Sequence, residues 1–138
     1  KRHLRALRRR ERRFHSHVNH VISKQIVRKA KDTGRGVAVE ELTGIRQRVT
    51  VRKATRSSLH SWPFAQLRWF LSYKAGLAGV AFAAVDPRNT SRTCPACGNV
   101  DKANRRSQAE FVCTGCGFAA HADHVGACNI ASGSLLCP

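Results

Sequence analysis

The sequence predicts an α/β chain: a long first helix, short strands alternating with helices, and a four-cysteine metal-binding ribbon inserted late. Three observations carry that expectation. Residues 1–33 contain no Pro or Gly and space their apolar residues by helical steps. Two short stretches, 36–42 and 80–85, have the length and composition of strands. Two Cys-x-x-Cys pairs follow the second of them.

Taken in order, the first helix spans 3–31. Leu4, Leu7, Phe14, Val18, Val21, Ile22 and Ile26 form one apolar stripe, and Gly34 is a suitable stop. Gly36-Val37-Ala38-Val39-Glu40-Glu41-Leu42 reads as a strand closed at Thr43-Gly44. Residues 45–58 offer many Arg, Thr and Ser and few core candidates, so a mobile basic linker is expected there. A second helix starts near Ser61, with Pro63 tolerated in its first turn. Phe64, Leu67, Phe70 and Leu71 form its buried face, and Gly76 or Gly79 ends it. Helical spacing favours core packing for most of the aromatics Trp62, Phe64, Trp69 and Phe70, with Trp62 the candidate for stacking on bases. A strand at 80–85 closes at Asp86-Pro87, where Asp86 reads as a turn residue. A short apolar helix around 123–131 and a weak tail follow the cysteines.

The strongest chemical signal is Cys94-Pro-Ala-Cys97-Gly and Cys113-Thr-Gly-Cys116-Gly, fifteen residues apart. Each knuckle folds a tight turn whose two sulfurs reach one tetrahedral ion, so Cys94, Cys97, Cys113 and Cys116 are expected to hold one structural Zn2+. Two disulfides are the alternative, and the paired knuckles argue against them. Four protein thiolates close the coordination shell and leave no open position for catalysis. Cys128 and Cys137 have no partner at ligand spacing: Cys128 reads as a small helix residue, Cys137 as a free tail thiol.

Charge sets the class of partner. The chain has 138 residues, 25 Lys+Arg against 8 Asp+Glu, a formal charge of +17, and no Met. Twelve of the basic residues fall within 1–31, and a second cluster occupies 46–56. Such density points to a polyanion, and Arg5, Arg8, Arg9, Arg12, Arg13, Arg46, Arg48, Arg52, Lys53 and Arg56 are the candidate nucleic-acid contacts. No apolar run approaches the roughly 18–20 residues of a membrane span, and the Arg-rich N-terminus lacks the short apolar core of a secretory signal. Without an initiator Met, the chain is read as a fragment.

Taken together and in order, Val37–Leu42, Tyr73-Lys74-Ala75, Val85-Asp86-Pro87 with Thr90-Ser91, both knuckles, His121-Ala122-Asp123-His124 and Asn129-Ile130-Ala131 carry a family likeness. Over most of residues 1–131 the chain resembles the C-terminal half of OrfB/TnpB-type transposon proteins, compact RNA-guided relatives of type V CRISPR nucleases. The resemblance implies a partial RNase H-like (RuvC-like) fold with an inserted zinc ribbon. Residues 1–90 would be nuclease core, 91–118 the ribbon, 119–131 the last RuvC-like helix and 132–138 a tail.

It also implies a site. Such nucleases hold two Mg2+ ions on Asp, Glu and Asp. By position Glu40 matches the family's Glu and Asp123 its final Asp, giving two candidate catalytic ligands. The first Asp lies on a strand upstream of this chain, so the triad here is incomplete and the chain alone is expected to be inactive. Val125-Gly126-Ala127 stands where the family commonly has Asn-Ala-Ala, which weakens the helix carrying Asp123. Glu41 alternates to the opposite face, and His121 and His124 read as phosphate contacts or surface residues. The expected partners are DNA and guide RNA, with a possible transposon-encoded protein and no membrane. The expected location is cytoplasmic, at the nucleoid. The alternative is a non-catalytic zinc-ribbon DNA/RNA-binding module, truncated or repurposed as a repressor. A membrane-surface or protein-interaction module would leave the positions of Glu40 and Asp123 unexplained.

Overall fold

In the computed structural model, which describes residues 2–42 and 63–133, the first 31 of them form one helix, α1 (Arg2–Asp32). It stops in a Schellman motif: Arg35 N–H reaches Ala30 O at 2.9 Å, Gly34 N–H reaches Lys31 O at 3.2 Å, and Gly34 takes a φ of 64°. After β1 (Val37–Glu40), the next described helix is α2 (Phe64–Ala78), which ends the same way around Gly79. Pro63 precedes the first helical turn rather than lying in it, and its carbonyl accepts from Gln66 N–H and Leu67 N–H. Ser61, Trp62, the 45–58 linker and its basic residues Arg46, Arg48, Arg52, Lys53 and Arg56 lie outside the described residues.

The chain divides into two compact units. One holds α1, α2, Val37, Leu42 and residues 80–82; the other holds Ala38–Glu41 and the described residues from Ala83 onward. In the first, α1 packs on α2 through Asn19, Ser23, Val27 and Ala30 against Phe70, Leu71 and Ala75. This corrects the expected apolar stripe, because Leu4, Leu7, Phe14, Val21 and Ile26 are all 39–62% exposed. For Leu4, Leu7 and Phe14, which precede Asn19, the first buried residue of α1, the reason is length. At about 1.5 Å per residue α1 runs about 46 Å and α2 about 22 Å, so α2 can cover only part of it.

The covered part is polar. Asn19 Nδ2 donates to Gln66 Oε1 at 3.2 Å, and Ser23 Oγ donates to Asn19 O at 2.6 Å. Lys74 Nζ donates to Ser23 Oγ at 2.6 Å and His20 O at 2.8 Å, and lies over the Phe70 ring. Burial, then the nearby Lys24 charge, lowers the Lys74 pKa. His20 stacks on Phe70 with ring centroids 3.9 Å apart. Trp69 corrects a second expectation. It is 63% exposed, because it sits about 100° round the helix from Phe70, which takes the buried position.

Strand β1 pairs with β2 (Phe82–Val85). Val37 N–H reaches Ala81 O and Glu41 N–H reaches Val85 O, each at 2.8 Å, so both strands advance in the same direction. Beyond them come a 3-10 turn (Lys102–Asn104), the antiparallel hairpin β3 (Glu110–Val112) and β4 (Ala119–His121), and α3 (Ala122–Gly133). Helix α3 thus includes residues 132 and 133 of the expected tail; the rest of it lies outside the described residues. A small core of Cys94, Phe111, Cys113, Ala122 and Val125 joins the hairpin to α3, with Phe118 and Ala120 packed on it. The fold class read from the sequence, mixed helix and strand with clustered cysteines, is the one observed.

Candidate functional site

The cysteine knuckles are built twice from one plan. Cys94 N–H reaches Asn99 O at 2.9 Å while Gly98 N–H reaches Cys94 O at 2.9 Å; Cys113 N–H reaches Phe118 O at 2.8 Å while Gly117 N–H reaches Cys113 O at 3.0 Å. Gly98 and Gly117 both take a φ of 75°, a turn that a Cβ would strain. The second knuckle caps the β3–β4 hairpin, and the first sits beside the Thr93–Val100 bridge.

Asn104 ties the two together. It is fully buried, its Nδ2 donates to Arg92 O at 2.8 Å and Asn99 O at 3.2 Å, and its Oδ1 accepts from Thr114 N–H at 2.8 Å. Sequence reading passed over it, since a lone Asn in a loop carries no spacing signal. Asn104→Ala removes a fully buried side chain and these three hydrogen bonds, so it is expected to cost about 2–3 kcal/mol of stability, measured by urea unfolding.

The four thiol sulfurs lie within 4.8 Å of one another, with Cys94–Cys116 at 3.7 Å and Cys97–Cys113 at 3.6 Å. Disulfide sulfurs sit about 2.05 Å apart, so these are free thiols. Tetrahedral bonds of about 2.3 Å put sulfurs about 3.8 Å apart, so the donor set fits a zinc-sized ion. Among the described residues this is the one group of three or more His, Cys, Asp or Glu side chains able to hold a metal.

Electrostatics inside the cluster are divided. Hydrogen bonds from the Cys116 and Gly115 amides draw the Cys113 pKa down from 9.0 to about 6, against the effect of burial. Cys97 is pushed up to about 12: the Asn99 amide lowers it, and the neighbouring thiols of Cys116, Cys113 and Cys94 outweigh that. Because the folded Cys113 pKa lies below its ordinary value, the thiolate's stabilisation is complete above about pH 9. It is lost as pH falls through about 6. The four thiols thus share their protons unevenly, Cys113 being the readiest to give one up and Cys97 the least ready. Metal uptake at pH 7 is therefore expected to release fewer than four protons, counted by calorimetry in buffers of different ionisation enthalpy.

The second feature is a cleft of about 440 Å3 lined by Glu40, Pro87, Thr90, Ser91, Arg105, Asp123 and the inner face of α3. Glu40, the last residue of β1, is half-buried and its Oε1 accepts from Thr90 Oγ1 at 2.6 Å. Thr90 is buried, and Asn129 Nδ2 on α3 clamps its loop by donating to Thr90 O at 2.7 Å and Thr93 O at 2.8 Å. Asp123 is the second residue of α3 and pairs with Arg105 at 3.4 Å. Arg105 is itself held by the carbonyls of Ser107 and Gln108. Asp86 accepts from both the amide and the Nε of Arg88, which is the turn role expected of it.

The two sequence-selected carboxylates thus line one cleft, and they are the only acids among its described lining residues. Arg105 was missed, because it stands in the loop between the knuckles outside both basic clusters. His121 Nδ1 accepts from Asp123 N–H at 3.3 Å. Cys128, which had no partner at knuckle spacing, faces His124 one helical turn away. Arg5, Arg8, Arg9, Arg12 and Arg13 are all exposed along α1.

Comparison with known proteins places this arrangement. Residues 64–130 match the Cas12f1-like TNB domain family. The chain is 39% identical over 119 residues to the CRISPR-associated endodeoxyribonuclease Cas12f1 of Sulfoacidibacillus thermotolerans, covering 86% of this chain and 27% of that protein. It is 33% identical over 112 residues to a TnpB-like protein of Methanocaldococcus jannaschii, covering 80% of this chain and 40% of that protein. The chain is a TnpB/type V effector relative.

The fold agrees. A cryo-EM structure of a Cas12f1–sgRNA–target DNA complex matches 88% of this TnpB relative and 34% of its own chain, with a TM-score of 0.69 and 24% identity. A Cas12f ternary complex matches 91% and 25%, with a TM-score of 0.70 and 24% identity. This TnpB relative therefore spans between a quarter and two fifths of these comparison proteins. No helix among its described residues is long and apolar enough to cross a membrane.

Proposed function

We propose that the chain is the C-terminal, nucleic-acid-binding part of an RNA-guided DNA endonuclease, in which residues 1–90 and 119–131 belong to a RuvC-like core and 91–118 are an inserted zinc ribbon. The observation that carries this is the cleft itself. Glu40 and Asp123, chosen from sequence motifs 83 positions apart, line one pocket together with a cationic Arg105. Ribbon and cleft share a unit, and Arg105 belongs to the ribbon segment.

In this reading the four thiolates hold a structural Zn2+. Glu40 and Asp123 are hard oxygen donors suited to Mg2+, which when bound supplies Lewis acidity toward a phosphodiester. Thr90 fixes the rotamer of Glu40 through its 2.6 Å hydrogen bond. Arg105 holds Asp123 until phosphate arrives and is then placed to pair with the scissile phosphate. A three-carboxylate site needs one ligand more than the two acids among the described residues that line the cleft. DNA and guide RNA are the partners, a transposon-encoded protein is a further one, and the cytoplasm at the nucleoid is the place of work.

Cleavage assay of the full-length parent with co-purified RNA and Mg2+ tests the reading. Target-dependent cutting supports it; binding without cutting in the intact parent leaves a non-catalytic DNA/RNA-binding module. The exposed Arg residues of α1 make a separate expectation. Binding of the chain to DNA or RNA should weaken on the order of 1,000-fold between about 50 and 200 mM salt. An Arg8→Glu, Arg12→Glu double variant should flatten that slope, read by fluorescence anisotropy.

A further inference from the structure

Helix α3 carries a second cluster of metal-ligating atoms that belongs neither to the ribbon nor to the cleft. His124 and Cys128 stand four residues apart, so their side chains meet one above the other on one helix face. Cys128 Sγ lies 3.6 Å from His124 Nε2. The cleft is lined from this helix by Ala122, Asp123, Gly126, Ala127 and Ile130, so the His124–Cys128 edge is a different one.

The separation is informative. A tetrahedral ion bonded to thiolate at about 2.3 Å and to imidazole at about 2.05 Å holds those two atoms about 3.5 Å apart. The two donors, which hydrogen-bond each other at 3.6 Å, are thus spaced for the bite of such a chelate. His124 is exposed and Cys128 only half-buried, so an ion can reach them from solvent. One soft sulfur and one borderline nitrogen select Zn2+ or Cd2+ and disfavour Mg2+, whose hard-oxygen preference the cleft meets instead.

We propose that His124 and Cys128 form a two-ligand chelate for a borderline or soft divalent cation, Zn2+ or Cd2+, on the outer edge of α3. Two protein donors leave two tetrahedral positions for water or another exchangeable ligand. The site is thus a weaker, reversible companion to the closed four-cysteine cluster. It stands on this pair's own geometry and is independent of whether the parent cuts DNA.

The test is a Co2+ and Cd2+ titration of the full chain, reading thiolate-to-metal charge-transfer absorbance and total metal bound. The wild-type chain is expected to take a second, weaker equivalent after the four-cysteine cluster fills, with its own sulfur charge-transfer band. Cys128→Ser should remove that band, and His124→Ala should remove or greatly weaken the second equivalent. Both variants should keep the first equivalent, which reports that the chain is folded. Cys137→Ser, in a residue outside the described part, should leave the second equivalent in place. A single equivalent in the wild-type chain would overturn the proposal, and so would a second equivalent with an unchanged band in Cys128→Ser.

Discussion

Cys113→Ser is expected to unfold the ribbon and, with it, the cleft. A structural zinc, the ion proposed for the four cysteines, contributes on the order of 10–16 kcal/mol to small domains, far more than the apolar core around it. That core is five residues, two of them the cysteines Cys94 and Cys113 themselves. Cys113 is also the sulfur that the Gly115 and Cys116 amides point at, and Ser offers neither the soft donor nor the low pKa. The loss should spread along the packing. Ala122 and Val125 of α3 rest against Phe111, and Arg105 meets Asp123 from the ribbon side. Circular dichroism and amide exchange over residues 94–118 are the measurements, with chelation by excess EDTA as the unmutated counterpart. Protection that persists after metal removal and mutation would show that the apolar core suffices.

Asp123→Asn and Glu40→Gln in the full-length parent should each lower DNA cleavage on the order of 1,000-fold while leaving nucleic-acid affinity within about twofold. Both changes keep shape and remove one negative charge from the cleft. Metal-assisted phosphodiester hydrolysis draws several kcal/mol from charge placed at the transition state, and roughly 4 kcal/mol corresponds to that loss. Affinity rests instead on the many exposed arginines, such as those along α1. Thr90→Val separates positioning from charge. It deletes the hydroxyl bonded to Glu40 and keeps the carboxylate, so a smaller loss of cleavage is expected, partly restored by Thr90→Ser. If Asp123→Asn and Glu40→Gln impair binding and cutting alike, neither carboxylate is a metal ligand.

Much of the architecture was legible because local rules governed it. Gly34 and Gly79 stop their helices by the Schellman bonds their sequence positions allow, and the knuckle glycines mark the turns that gather four sulfurs. What escaped reading depended on partners distant in the chain. Leu4, Leu7 and Phe14 form a good helical stripe, and only the short span of α2 shows why they stay exposed. Ser23 and Asn104 look like ordinary polar residues until Lys74 and Thr114 arrive to satisfy them. Arg105 gained its meaning when the ribbon carried it to Asp123.

The sequence by itself determined the order of the three helices and of β1 and β2, and the four-sulfur cluster, since periodicity and spacing are written along one chain. The family resemblance singled out Glu40 and Asp123, and the β3–β4 hairpin went unread. Tertiary structure decided which surface each helix buries, which hydroxyl orients Glu40, and which cation faces Asp123. Those are matters of a few ångströms between side chains whose positions depend on backbone path and rotamer, and residue spacing alone sets neither.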